Sequence, residues 1–146
     1  MISRTGPYLG AALLCERVME EKDGVLSVIR IVDRVIHTAI GPTASVTMPP
    51  LTYALTALII LKSGAARGTS QVKIDMEEPS GIVTSGPSLT ALMEGEDRGA
   101  NLVMGMQMTF KETGLYWFNV YADDQLITKI PFRVVYTRIA AAPGPQ

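Results

Sequence analysis

The sequence predicts an all-β domain: a two-sheet antiparallel sandwich of about seven to eight strands. Three observations predict it. Apolar residues recur at every second position in several segments. Those segments are bounded by turns rich in Gly, Pro and Asp. No long stretch has the clear 3.6-residue period of an amphipathic helix.

The clearest strand runs from Leu102 to Phe110. Leu102, Met104, Met106, Met108 and Phe110 alternate with Val103, Gly105, Gln107 and Thr109, so the first set lines one face. A helix would scatter those methionines around its circumference. Gln71 to Glu77 repeats the pattern, with Val72, Ile74 and Met76 on one side and Lys73, Asp75 and Glu77 on the other. Tyr53 to Leu61 is rich in branched residues and reads as a more buried strand. Gly114 opens a strand with Tyr116, Phe118 and Val120 on one face. Ala122-Asp123-Asp124 turns the chain, and Leu126 to Tyr136 returns. Pro131 marks an edge, a bulge or a change of partner, because proline has no N–H to give.

The first third admits two readings. Ala11, Leu14, Cys15, Val18 and Met19 have helical spacing. The same segment can be a strand leading into Asp23-Gly24, a strong hairpin signal, with a second strand over Val25–Val35. The Asp-Gly turn favours the hairpin. Irregular connections are expected over His37–Pro50, Gly64–Ser70 and Glu78–Ala100. The domain spans 8–138, with a flexible N-terminus over 1–7 and a disordered tail over 139–146.

The chain has 146 residues, 47% of them hydrophobic, and a formal net charge of −1. That length suits one core, with no need of a disulfide or metal staple. Nucleic-acid binding is not expected without a basic excess. The single cysteine, Cys15, fits a reducing, cytoplasmic setting. Ala11–Cys15 is too short for a signal segment, and Leu55–Leu61 is far short of the ~20 residues that span a bilayer, so no membrane insertion is expected.

No reactive constellation stands out, and no catalytic residue, cofactor or metal is expected. Cys15 and His37 are the only nucleophile–base pair of their kind, but Cys15 sits in an apolar run where cysteine acts as a small hydrophobe. One His and one Cys cannot make a structural zinc site. Gly64–Ser70 lacks the Gly-Lys-Ser/Thr ending of a phosphate loop.

If every strand reverses direction, His37–Pro50, Glu78–Ala100 and Ala122–Asp124 fall at one end of the domain. A partner-binding surface is then expected from Met48, Pro49, Pro50, Met93, Glu94, Glu96, Asp97, Arg98, Asp123 and Asp124. Met48 and Met93 have a second reading, as plugs of the open end of the core. Leu115, Trp117 and Tyr121 share the other face of their strand and form a candidate self-association face. The expected partner is therefore a protein or a second copy. Two alternatives stand beside this binding or assembly module. One is a C2-like calcium or ligand module using the loop carboxylates. The other is an enzyme with a sparse carboxylate site drawn from Asp33, Asp75 and Asp123.

Two segments carry a resemblance. Gly114-Leu-Tyr116-Trp-Phe118-Asn-Val120 resembles the penultimate strand of immunoglobulin-like sandwiches, where a tyrosine near the strand start bonds back to the preceding corner. Phe118 then stands where antibody domains place their second cysteine. Leu14-Cys-Glu16-Arg-Val18, followed by Asp23-Gly24-Val-Leu-Ser27-Val-Ile29-Arg-Ile31-Val-Asp33-Arg-Val35, resembles the opening of an uncharacterised bacterial family of small β-sandwich proteins. The strand from Pro50, the Glu78-Pro79-Ser80-Gly81 turn and the closing Gly-x-Tyr-x-Phe strand match its later features. The resemblance covers Tyr8 to Tyr136. It implies an immunoglobulin-like fold and brings no activity, cofactor or catalytic residue.

Overall fold

The computed structural model describes residues 5–140, and among these described residues there are seven strands and no helix. They are β1 (Tyr8–Glu20), β2 (Leu26–Ile31), β3 (Arg34–Ile40), β4 (Leu51–Glu77), β5 (Val83–Phe110), β6 (Gly114–Ala122) and β7 (Gln125–Ile139). Their hydrogen-bonded order is β2-β1-β4-β6-β7-β3, with β5 paired to β4.

The hairpin reading of the first third is the one the chain adopts. β1 pairs with β2 around the Asp23-Gly24 turn, where Gly24 has φ 84° and its N–H donates to the Glu21 carbonyl at 2.9 Å. Positive φ is what glycine supplies there without a steric penalty. The second strand is shorter than Val25–Val35. At Val32-Asp33 the chain changes neighbours: the Val32 N–H donates to Leu14, while the Asp33 carbonyl accepts from Arg133. The chain then continues as β3, which lies parallel to β7. This corrects the expectation of an antiparallel arrangement throughout.

A hairpin of two very long strands dominates the rest. β4 has 27 residues and β5 has 28, and they pair antiparallel from Leu51–Phe110 to Glu77–Val83. On its other side β4 pairs with β1 up to Lys62 and with β6 from Val72. Register shifts between Lys62 and Arg67 mark the change. Ser63 is buried there, accepting the Glu94 N–H and donating to the Met93 sulfur. The ladder thus has two halves joined through one hairpin. Two expected loops are corrected by this. Gly64–Ser70 lies inside β4, and only residues 78–82 of the Glu78–Ala100 segment form a turn. His37–Ile40 also belongs to a strand, so that connection begins at Gly41.

Both halves bury apolar residues in one core. Leu55, Ala57, Ile59, Met104 and Phe110 from the first half join Val72, Ile74, Phe118, Val120 and Phe132 from the second. The Phe110 ring lies 5.4 Å from Phe132 and 4.9 Å from Tyr116. The two-residue alternation of Leu102–Phe110 is present as read, with Met104 and Met106 buried and Met108 half-buried.

Two local readings have physical accounts. Pro131 faces a change of partner. The Arg133 N–H points toward β3, so the nitrogen of Pro131, two residues earlier, points to the same side. β3 has not yet begun there, since its register opens at Arg34–Arg133, and a missing N–H costs nothing. Tyr116 bonds back to its corner: its hydroxyl donates to the Glu112 carbonyl at 2.6 Å. Residues 1–4 and 141–146 of the expected termini lie outside the described residues. Ile139 is the last residue of β7, and the Thr5 carbonyl accepts from the Ala65 N–H.

Candidate functional site

The candidate site is a cleft that β5 builds with itself. β5 belongs to both halves of the ladder and pairs only with β4 in each. Among the described residues, no strand pairs along its other side. The two arms of β5, near 84–87 and 105–109, frame an open cavity of about 430 Å³. Its floor is apolar, made by Ile74, Met76 and Phe118 with Met106 and Met108. Glu78 and Lys111 sit on the rim, one of each charge. This size is within the usual range for ligand pockets, about 300–1,000 Å³.

The sequence shapes the cleft locally. Gly86-Pro87 forms a bulge in the first arm, where the β4–β5 register slips between Lys73 and Asp75. A Cβ at Gly86 would run into the Ile74 carbonyl, so only glycine allows the strand to lie this close. Pro87 has no N–H, which suits an edge strand. Across the cleft, Gly105 has open space where a side chain would be. The three methionines give a floor that repacks easily around different occupants.

The expected partner surface is split. Met48, with Val46 and Thr47, lies with Lys111–Thr113 and Tyr136 around a second cavity of about 410 Å³, and Pro49 and Pro50 lead from it into β4. Tyr136 donates to the Ser45 carbonyl at 2.8 Å, and the Ser80 N–H donates to Glu112 nearby. Asp123 and Asp124 sit at the other end of β6, beside Gln71. They form the tight turn between β6 and β7, with φ 48° and 66°. The Asp123 carboxylate accepts the Gln71 N–H at 2.8 Å. Glu94, Glu96, Asp97 and Arg98 are exposed positions within β5, past the cleft and paired toward Gly64 and Arg67. The gathering of all ten residues at one end is therefore corrected.

Met48 and Met93 follow the core-plug reading, at 7% and 2% exposure, while Pro49 and Pro50 stay exposed. Leu115, Trp117 and Tyr121 share the outward side of β6 and are half-buried. Asp33, Asp75 and Asp123 occupy three separate places: the β2–β3 junction, mid-β4 and the β6–β7 turn.

Cys15 is fully buried, and burial pushes its thiol above the ordinary value, so the nucleophilic thiolate is disfavoured. His37 stacks on Tyr136 at 5.7 Å in the β3–β7 ladder, a ladder to which Cys15 does not belong. Among the described residues no three of His, Cys, Asp and Glu lie grouped as metal ligands, and no helix is long and apolar enough to cross a membrane.

Residues 10–135 match the model of DUF6941, a family of unknown function. The chain belongs to this family. The match starts inside β1 and ends in β7, so it takes in the whole β4–β5 hairpin and both arms of the cleft. No curated protein matches this DUF6941 chain.

The cleft was missed by sequence reasoning because its first arm looks like a loop. Pro79-Ser80-Gly81 and Gly86-Pro87 suggest one long irregular segment. The available signal was Leu89 to Met93, where Ala91 and Met93 alternate inward and Leu92 outward.

Proposed function

We propose that this DUF6941 domain is a non-catalytic binding module, built as an immunoglobulin-like sandwich, that captures an extended apolar segment of a partner protein along β5. What supports the layered reading is the change of β4 partners at Lys62–Arg67, the ring contacts joining Phe110 to Phe132, and the Tyr116–Glu112 corner bond. The binding reading rests on one observation: an apolar, methionine-floored cleft lies between two strand arms that each have a free edge. An unpaired edge offers backbone N–H and C=O groups to an incoming strand, and a row of apolar pockets takes its alternate side chains. Glu94, Glu96, Asp97 and Arg98 continue the same edge past the cleft, where they would meet charged flanks of the bound segment. A second copy of the chain is the other occupant such an edge admits, and sedimentation at rising concentration reads it.

An array of ten-residue peptides with alternating apolar positions tests the reading directly. The wild type retains a subset, and Met108→Glu, at a half-buried position on the cleft, abolishes retention while the melting temperature stays within a few degrees. Retention that ignores Met108→Glu and Met106→Glu alike, or no retention at all, contradicts it.

A further inference from the structure

The outward side of the β4–β6–β7 ladder carries a feature that the cleft does not use. Ile74, Met76, Tyr116, Phe118 and Val120 belong to the core. The alternate residues Lys73, Asp75, Trp117, Asn119 and Tyr121 therefore share the opposite face. The register sets Asp75 opposite Asn119, Asn119 opposite Lys129, and Lys73 opposite Tyr121. Asp75 and Asn119 are only 8% and 5% exposed although they point away from the core. Each keeps one buried oxygen, Oδ1, with no hydrogen-bond partner among the described residues. The other Asp75 oxygen lies 3.8 Å from the Lys73 ammonium.

Lys73 lies over the Tyr121 ring, 5.4 Å from its centroid, and Lys129 lies over Trp117 at 5.2 Å. Two aromatic rings thus flank Asn119 along β6, and each has a lysine over it. Buried acceptors without a donor are rare and unfavourable, so something that donates belongs against them. Neither lysine hydrogen-bonds those two oxygens; Lys129 is exposed, and Lys73 is half-buried beside the other Asp75 oxygen.

The chemistry of this face selects its ligand. Asp75 disfavours an anion, and Lys73 and Lys129 disfavour a cation. A hydroxyl suits both, because it donates to the carboxylate or amide oxygen while accepting from an ammonium. The C–H faces of a sugar ring pack on Trp117 and Tyr121, whose apolar bodies favour such contacts. The two rings are four residues apart on one strand, about 13 Å, which is the reach of a short oligosaccharide. We propose that the outward face of β6 binds a neutral oligosaccharide, with Asp75 and Asn119 accepting its hydroxyls between Trp117 and Tyr121.

Trp117 is the only tryptophan in the chain, so its fluorescence reports on this face alone. The experiment titrates cellotetraose, maltotetraose and chitotetraose, each into the millimolar range, against the full chain. The expected result is a saturable change in emission with at least one of them. Asp75→Ala and Asn119→Ala should each weaken it about tenfold, the scale of one lost hydrogen bond to a strong acceptor. Asp75→Asn, which keeps the shape, and Lys129→Met, at an exposed position, keep the test readable if the alanine variants do not fold. No response to any of the three sugars in the folded wild type overturns the proposal. So does a response that Asp75→Asn and Lys129→Met leave unchanged, or NMR evidence that the Asn119 amide protons already donate to Asp75 in the free protein.

Discussion

The two arms of β5 belong to one strand of one hairpin, yet they are held by different means. Residues 102–110 alternate strictly and anchor the core through Leu102, Met104, Met106 and Phe110. Residues 83–93 bury little before Ala91 and Met93, and they follow β4 through a bulge at Gly86-Pro87. One arm is placed by hydrophobic burial and the other by backbone pairing to a strand already in place. The difference teaches why the cleft sits where it does. A well-anchored arm and a lightly anchored one, at the margin of the same core, leave between them a cleft floored by core side chains, with Met108 the half-buried one among them.

The largest expected effect breaks the anchored arm. Phe110→Ala removes a fully buried ring packed on Tyr116 and Phe132, and should cost about 3–5 kcal/mol in urea denaturation. Leu92→Ala in the other arm, at a side chain 55% exposed, should stay within about 0.5 kcal/mol. Equal costs would erase the distinction.

The glycines sharpen the same comparison. Gly86→Ala should cost about 1–3 kcal/mol, because its methyl group meets the Ile74 carbonyl and the bulge must shift. Gly105→Ala, with nothing near the new Cβ, should be close to neutral, within about 0.5 kcal/mol by thermal melting.

A smaller effect lies at the corner that follows the anchored arm. Tyr116→Phe deletes the bond to the Glu112 carbonyl and should cost about 1 kcal/mol. It should also change the alkaline limb of stability. Burial, helped by the charges of Glu112 and Glu78, holds the Tyr116 hydroxyl above its ordinary value of 10.0. Its stability contribution is then complete below about pH 10 and is lost as pH rises toward the folded-state value, because only the unfolded chain ionises there. Cys15, raised by burial from 9.0, acts in the same direction from about one unit lower. Stability should fall above pH 9, and more gently in Tyr116→Phe above pH 10.

Much of the fold was legible because burial on one face writes a period of two into the sequence. Leu102–Phe110, Gln71–Glu77 and the Tyr116–Val120 strand all carried it, and Asp23-Gly24 gave the first hairpin. What stayed hidden was set by distant partners. Val25–Val35 is one apolar run, and nothing local says that the chain leaves β1 at Val32 to lie parallel to β7. Gly86-Pro87 reads as a loop unless β4 is known to pass alongside. That omission had a further consequence for the candidate site. Losing the 83–93 arm removes one reversal of direction, so every later connection is assigned to the wrong end. Asp123 and Asp124 were thus grouped with Met48–Pro50, from which the whole length of β6 separates them. Met93 and Met48 show the complementary ambiguity: a methionine beside charges in a loop-like segment has the same sequence signature whether it plugs a core or meets a partner.

Amide hydrogen exchange resolved by residue along β5 tests the central claim most directly. If both arms pair with β4 alone, N–H groups facing β4 are protected and those facing the free edge exchange rapidly, in alternation through 83–93 and 102–110. Uniform protection of alternate and facing groups in both arms would mean the edge is covered, and would contradict both the open cleft and the strand capture built on it.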